Sequence, residues 1–308
     1  MEQSILKVEH LSHRYTIQWA VRDISLDIKG KGIYGLLGSN GAGKSTLMNI
    51  VCGVLKPTEG EVLIDGINIA ENPVEAKRRI GFLPQRPPLY TDLTVEECLA
   101  YCASLRWVPE DEVATAVEEV MERCGVSHFR KRLIRNLSGG YQQRVGIAQA
   151  IIHKPKLVVF DEPTNGLDPN QILEVRRLIT DIAENHTVIL STHILSEVQA
   201  TCNHIYMVEE GSIVFSGTVS DFDNYIAPNS LVATITQLPS ADDLKQIEGV
   251  TGAEDLGGHR YRVTFSSEPD AIASQLVRQS VACDWNLIEI GIEKNSLDSV
   301  FAELSKKN

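Results

Sequence analysis

The stretch Gly38-Ser39-Asn40-Gly41-Ala42-Gly43-Lys44-Ser45-Thr46 constrains this chain more than any other feature. It has the spacing GxxxxGK[ST]. It follows Gly32–Leu37, a short apolar run that reads as a strand, and it opens a segment in which Leu47, Ile50, Val51 and Val54 recur at helical spacing. Lys56-Pro57 and Gly60 close that helix. Strand, glycine loop and helix in this order form a phosphate cradle. Glycines let successive N–H groups turn toward phosphate oxygens, and the helix N-terminus adds positive potential. Lys44 supplies a mobile charge for β- and γ-phosphates, and Ser45 a hydroxyl for Mg²⁺.

The rest of the chain reads as the α/β frame that such a loop needs. Ile5–Val8, Ile24–Ile28 and Glu61–Ile64, the last closed by an Asp65-Gly66 turn, are short apolar strands near the N-terminus. Leu157–Phe160, Thr187–Leu190 and Ile205–Val208 are strands separated by helical segments, which predicts a largely parallel sheet. Between the two groups, Leu93 to Arg135 alternates acidic and apolar residues at helical spacing, with Val113, Val117, Val120 and Met121 in one stripe. It reads as a helical insertion.

The polar stretch 221–230 marks a boundary. Beyond it the sequence predicts a strand at Leu231–Thr236, an N-cap at Ser240 with a short helix, and a strand at His259–Phe265 with Tyr261, Val263 and Phe265 on one face. A helix at Pro269–Gln279, a strand at Trp285–Ile290 and a closing helix at Ser296–Leu304 complete a small α+β module. The expected organisation is a core over 1–220, with its helical subdomain at about 91–140, a linker over 221–230 and an accessory or dimerisation domain over 231–308.

Two further patterns carry chemistry. In Leu157-Val-Val-Phe-Asp161-Glu162, two carboxylates leave the C-terminal end of a buried strand, the edge at which parallel sheets bind ligands. Asp161 is placed to hold Mg²⁺, and Glu162 to orient and deprotonate an attacking water. In Leu137-Ser138-Gly139-Gly140-Tyr141-Gln142-Gln143-Arg144, a serine and two glycines open a helix, a second cradle for an anion.

Taken together, the chain resembles the ATP-binding subunits of ABC transporters, and LSGGYQQR is similar to that family's signature sequence. The other family motifs follow in order over about residues 1–220. Gln85 in GFLPQ matches the Q-loop glutamine, which senses Mg²⁺ and contacts the membrane subunit. Gly166-Leu167-Asp168 matches the D-loop, and His193 matches the switch histidine that contacts the γ-phosphate. Tyr15 sits where the family places an aromatic on adenine, with Trp19 nearby. Ser39 stands where proline is common, and Tyr141 where glutamine is common.

The resemblance implies a P-loop α/β core with an antiparallel β element and a helical arm, ATP and Mg²⁺ as ligands, and hydrolysis by Glu162, His193 and Gln85. Ser45, Gln85 and Asp161 are the implied Mg²⁺ ligands. Two chains, identical or paralogous, are expected to pair so that Ser138, Gly139, Gly140 and Gln142 of one complete the site of the other. An integral membrane permease subunit is the implied partner, with Arg86 and the PPLYTDLT segment at the docking surface. The implied location is cytoplasmic, peripheral on the inner face of the membrane. The ending from Glu293 to Leu304 is similar to that of export-type subunits, including multidrug-export-like and gliding-motility-associated ATP-binding proteins.

Charge and composition narrow the alternatives. The net charge is −12, shared as −7 before Leu231 and −5 from it onward, so no basic tail is expected to hold nucleic acid. That argues against a soluble ATPase switch acting on DNA or ribosomes. A P-loop kinase leaves LSGGYQQR and His193 unexplained. Glu2, Lys7 and Glu9 break up any leader-like apolar core, and no apolar run is long enough to span a bilayer. The six cysteines are scattered. Cys98 and Cys102 share a helix face and read as half-buried thiols rather than metal ligands.

Overall fold

The computed structural model describes residues 3–225, 229–237 and 240–293. They group into two compact units that divide between Val219 and Ser220.

In the first unit, β1 (Leu6–Tyr15), β2 (Gln18–Ile28) and β3 (Gly32–Leu37) precede α1 (Lys44–Val51), β4 (Glu59–Ile64), β5 (Ile67–Asn68), α2 (Pro73–Arg78) and β6 (Ile80–Leu83). Three helices follow: α3 (Val95–Leu105), α4 (Val113–Arg123) and α5 (Gly139–Ile151). Then come β7 (Leu157–Asp161), α6 (Pro169–Ala183), β8 (Thr187–Thr192), α7 (Leu195–Thr201), β9 (His204–Glu209) and β10 (Ser212–Thr218). A short helix, α8 (Val219–Asp223), crosses the division, so it occupies the start of the stretch expected as linker.

Two sheets organise this unit. The strands β2-β1-β4-β5 form an antiparallel sheet, the β element expected from the family resemblance. The strands β10-β9-β3-β8-β7-β6 form the larger sheet, parallel except for the β9–β10 hairpin. Every residue of β7 is buried, as an interior parallel strand requires. Register decides the rest. Leu37 of β3 lies opposite Thr192 of β8, and Asp161 of β7 opposite Ser191. The loops after β3, β7 and β8 therefore leave the sheet side by side at one edge.

Leu11, Ile28, Met48, Ile50 and Val159 belong to one buried cluster that joins α1 to both sheets. The helix expected through Val54 stops at Val51, where Cys52 and Gly53 turn back on Met48 and Ile50. The insertion is helical as read. Thr94 and Glu97 cap α3 reciprocally, and α4 buries Ala116, Val117, Val120 and Met121. Cys98 and Cys102 are fully buried on α3, deeper than expected, because that face of α3 carries Val95 and Leu99 into the core. Among the described residues, no helix is long and apolar enough to cross a membrane.

The second unit contains β11 (Ser230–Ile235), α9 (Ala241–Leu244), β12 (Val250–Gly257), β13 (Arg260–Phe265), α10 (Pro269–Ala282) and β14 (Leu287–Glu293). The order β12-β13-β11-β14, antiparallel throughout, is the ferredoxin-like arrangement of a split βαβ repeat. Tyr261, Val263 and Phe265 share one buried face with Leu231, Ala233 and Ile235, covered by Leu244, Ile272, Leu276 and Trp285. The last strand starts later than expected, because Asp284 and Asn286 take left-handed φ values of 57° and 54°. The segment Ser296–Leu304, expected as a closing helix, lies outside the described residues.

Candidate functional site

The loop after β3 is held by close packing. A Cβ on Gly38 would stand 2.1 Å from the Val208 carbonyl oxygen, and one on Gly43 would stand 2.4 Å from that of Ala20. Gly43 also has a φ of 107°, which side chains with a Cβ avoid. Two anchors fix the loop further. Ala42 accepts from the Gly211 N–H at 2.9 Å, and Ser39 Oγ donates to Glu209 Oε1 at 2.6 Å. Asn40 and Gly41 are exposed at the loop's crest, and Ser45 and Thr46 open α1 with Ser45 exposed.

Lys44 is only 5% exposed. Its Nζ donates to the carbonyl oxygens of Gly38 and Ser39, both at 2.8 Å. Burial pushes its pKa down, against the opposing pull of Glu162, Asp161 and Glu209. Asp161, at the end of β7, is buried, and its Oδ1 has no hydrogen-bond partner among the described residues. Burial raises its pKa and the Glu162 charge adds to this, while the hydroxyls of Ser45 and Ser191 and the charge of Lys44 pull it down.

Glu162 gathers residues from three other points in the chain. Gln85 Nε2 donates to Oε2 at 2.9 Å, and Asn165 Nδ2 donates to the same oxygen at 3.1 Å. The Nδ1 of His193 lies 3.1 Å from Oε1. Gln85 follows β6, Glu162 follows β7 and His193 follows β8, so adjacent parallel strands bring all three together. Glu162 itself has a φ of 48°, a conformation that costs a residue with a side chain about 1–3 kcal/mol and recurs at functional sites.

The remaining sequence-predicted residues stand apart. Tyr15 is 51% exposed at the β1–β2 turn, its ring edge-on to His13 at 4.8 Å. Trp19 packs under the Arg14 guanidinium instead. Ser138 caps α5 by its backbone, with no side-chain capping bond, and Gly139 beside it is exposed. Gly140 is buried against Gln171, and Gln142 ties back to the carbonyls of Ile134 and Leu137, both at 3.2 Å. No hydrogen bond among the described residues joins these four to the glycine loop or to Glu162. Asp168 caps α6, accepting from the Gln171 N–H at 3.0 Å.

Two residues of this edge escaped the sequence reading. Asn165 was findable, three positions after Glu162 in a turn. Glu209 was not, because it reaches Ser39 only through the pairing of β9 with β3, which the sequence does not specify.

Comparisons with known proteins identify the family. Residues 21–165 match the ABC transporter family. The bacitracin transport ATP-binding protein of Bacillus licheniformis is 40% identical over 213 residues, 68% of this chain and 69% of that protein. The linearmycin resistance ATP-binding protein of Bacillus subtilis is 28% identical over 307 residues, 98% of each chain. Among solved structures, cbiO1 of Clostridium perfringens, part of a transporter complex, superposes with a TM-score of 0.65 at 32% identity, covering 70% of this chain and 89% of that one. A dimeric ATP-binding cassette in a post-hydrolysis state with ADP and phosphate gives a TM-score of 0.64 at 26% identity, covering 70% and 98%.

Proposed function

This chain belongs to the ABC transporter family as an ATP-binding subunit and is an ATPase, and from that premise we propose that it powers an exporter through a separate membrane subunit. The observation that carries the reading is the meeting of Gln85, Asn165 and His193 on the Glu162 carboxylate, beside the loop that holds Lys44. In this reading Lys44 and the N–H groups of residues 39–46 take the β- and γ-phosphates, and Tyr15 stacks on adenine. Glu162 orients a water and accepts its proton as the water oxygen attacks the γ-phosphorus. His193 faces the γ-phosphate, and the bond to the ADP oxygen breaks.

The donor set suits Mg²⁺. Asp161 Oδ1 is buried and without a hydrogen bond, the Ser45 hydroxyl is beside it, and an amide that donates through Nε2 leaves the Gln85 oxygen for a cation. Bound there, Mg²⁺ would offset repulsion among the phosphate oxygens.

The site would be completed in trans. Ser138, Gly139, Gly140 and Gln142 make no bond to their own glycine loop, and Ser138 and Gly139 are exposed at a helix N-terminus, as a surface that receives a partner's nucleotide requires. Two chains, identical or paralogous, pair head to tail in this reading, with Asp168 near the shared boundary. ATP holds them closed, and hydrolysis releases them. The 1–220 core, the 221–230 connection and the 231–308 accessory domain would then be the working divisions of the protomer.

Docking to the membrane subunit is assigned to Arg86 and the segment after it. Leu89, Tyr90, Thr91, Asp92, Leu93 and Tyr101 line a cavity of about 570 Å³, with Tyr90 and Tyr101 half exposed. Such docking would hold the chain on the cytoplasmic face. Export is favoured by the two antibiotic-related relatives, one of which matches over the full length. Nothing in these features favours the soluble switch or the kinase.

Co-purification tests the proposal. The tagged chain, taken from native membranes in mild detergent, is expected to carry a stoichiometric integral membrane protein. Recovery from the soluble fraction alone, or with ribosomes or DNA, overturns it.

A further inference from the structure

Glu197, on α7, is 1% exposed and takes no part in the chemistry above. Two hydroxyls donate to its carboxylate, and one guanidinium lies at ion-pair distance. Thr164 Oγ1 donates to Oε1 at 2.6 Å, and Thr192 Oγ1 donates to Oε2 at 2.7 Å. Arg176 Nη2, from α6, lies 3.5 Å from Oε1. Thr164 and Thr192 are themselves 5% and 2% exposed.

The two threonines place this carboxylate in the fold. Thr164 stands two residues after Glu162, and Thr192 immediately precedes His193. Thr192 Oγ1 also accepts from the Ile194 N–H at 3.0 Å, so one hydroxyl fixes the backbone on both sides of His193. A single buried carboxylate thus ties the turn after β7 to the turn after β8. The Glu162–His193 contact at 3.1 Å closes the same loop from the other side. A carboxylate held by two hydroxyl donors and a nearby guanidinium is suited to fixing geometry, and its burial keeps it from substrate.

We propose that Glu197 is a positioning residue for ATP hydrolysis: through Thr192 it holds His193 against Glu162, with Thr164 as the opposite anchor. The proposal rests on the reading of His193 given above. The competing view is a buried ion cluster that serves stability alone.

The test is a double-mutant cycle in the full chain, with turnover normalised to ATP-binding sites. Glu197→Gln is expected to lower kcat about ten- to hundred-fold, the scale of an ångström-level misplacement, while KM for ATP stays within about twofold. In a His193→Ala background the same substitution is expected to cost less than about twofold, because residues that act as a unit are not additive. Thr192→Val, which keeps the shape and loses the hydroxyl, should repeat the kcat loss. Thr192→Ser should restore it. This pair carries the test if Glu197→Gln does not fold.

Equal losses in both backgrounds, or Thr192→Val at wild-type turnover, overturn the proposal and leave the function reading intact. Wild-type turnover in His193→Ala alone overturns the reading of His193, and the proposal with it.

Discussion

Lys44 and Arg262 are both cations near carboxylates, and the two units hold them in opposite ways. Arg262, on β13 of the C-terminal unit, donates to both oxygens of Glu293 at 2.8 and 3.0 Å and to Glu254 at 3.1 Å. Its side chain is 37% exposed, and the two glutamates raise its pKa further. Lys44 is buried, feels Glu162, Asp161 and Glu209, and among the described residues bonds only to two carbonyl oxygens of its own loop. One cation has its partners already. The other is held in a field of carboxylates with its bonding left to weak acceptors, and an Asp161 oxygen beside it has no bond at all. Pairing that is complete marks scaffold, whereas pairing left open inside a desolvated edge marks a place built for something else to fill.

The largest expected effect tests the open edge. Glu162→Gln keeps the size of the side chain and its capacity to accept from Gln85 and Asn165, but it cannot take a proton from water. Hydrolysis is expected to fall by about 10²-fold or more, with nucleotide binding retained, as read by phosphate release and by equilibrium binding. Equal turnover in mutant and parent would mean that Glu162 and the groups gathered on it are scaffold after all.

His153 offers an intermediate case, a half-buried group that is partnered on one side only. Its Nε2 lies 3.1 Å from the Ile80 carbonyl oxygen, and its Nδ1 is buried without a partner. Burial, then the nearby Arg106 charge, pushes its pKa down from 6.5 to about 4. The unfolded chain therefore takes up the proton first as pH falls, so stability is lost between 6.5 and about 4. The loss amounts to roughly 3 kcal/mol at most, from the size of the shift. His153→Gln, which keeps a donor for Ile80, should show a smaller fall in denaturation midpoint between pH 7 and pH 5 than the parent. Equal falls would show that other groups set the acid limit.

How much of this was legible depended on how local each signal is. The glycine loop was readable because its cradle is made by consecutive residues, and β3 begins and ends where the apolar run does. Glu162 was readable as a carboxylate at a strand end, but not its left-handed backbone, which no residue type announces. Glu197 was invisible. In LSEVQ it reads as an exposed helical glutamate, and only the packing of α7 beside the turns after β7 and β8 buries it. The strand β12 was missed for a related reason. It lies at a sheet edge and is largely exposed, so the apolar alternation that reveals β13 is absent from it.

The smallest effect is expected at the closed pairing itself. Arg262→Gln removes a cation whose partners are as accessible as it is, and exposed pairs of this kind contribute little that measurement resolves. ATP turnover should not change, and the melting midpoint should shift by no more than replicate scatter. The outcome that would matter is a change in turnover without a change in melting. Arg262 would then be handing its charge to something other than Glu254 and Glu293 during the cycle, and full pairing in the resting chain would no longer separate scaffold from site.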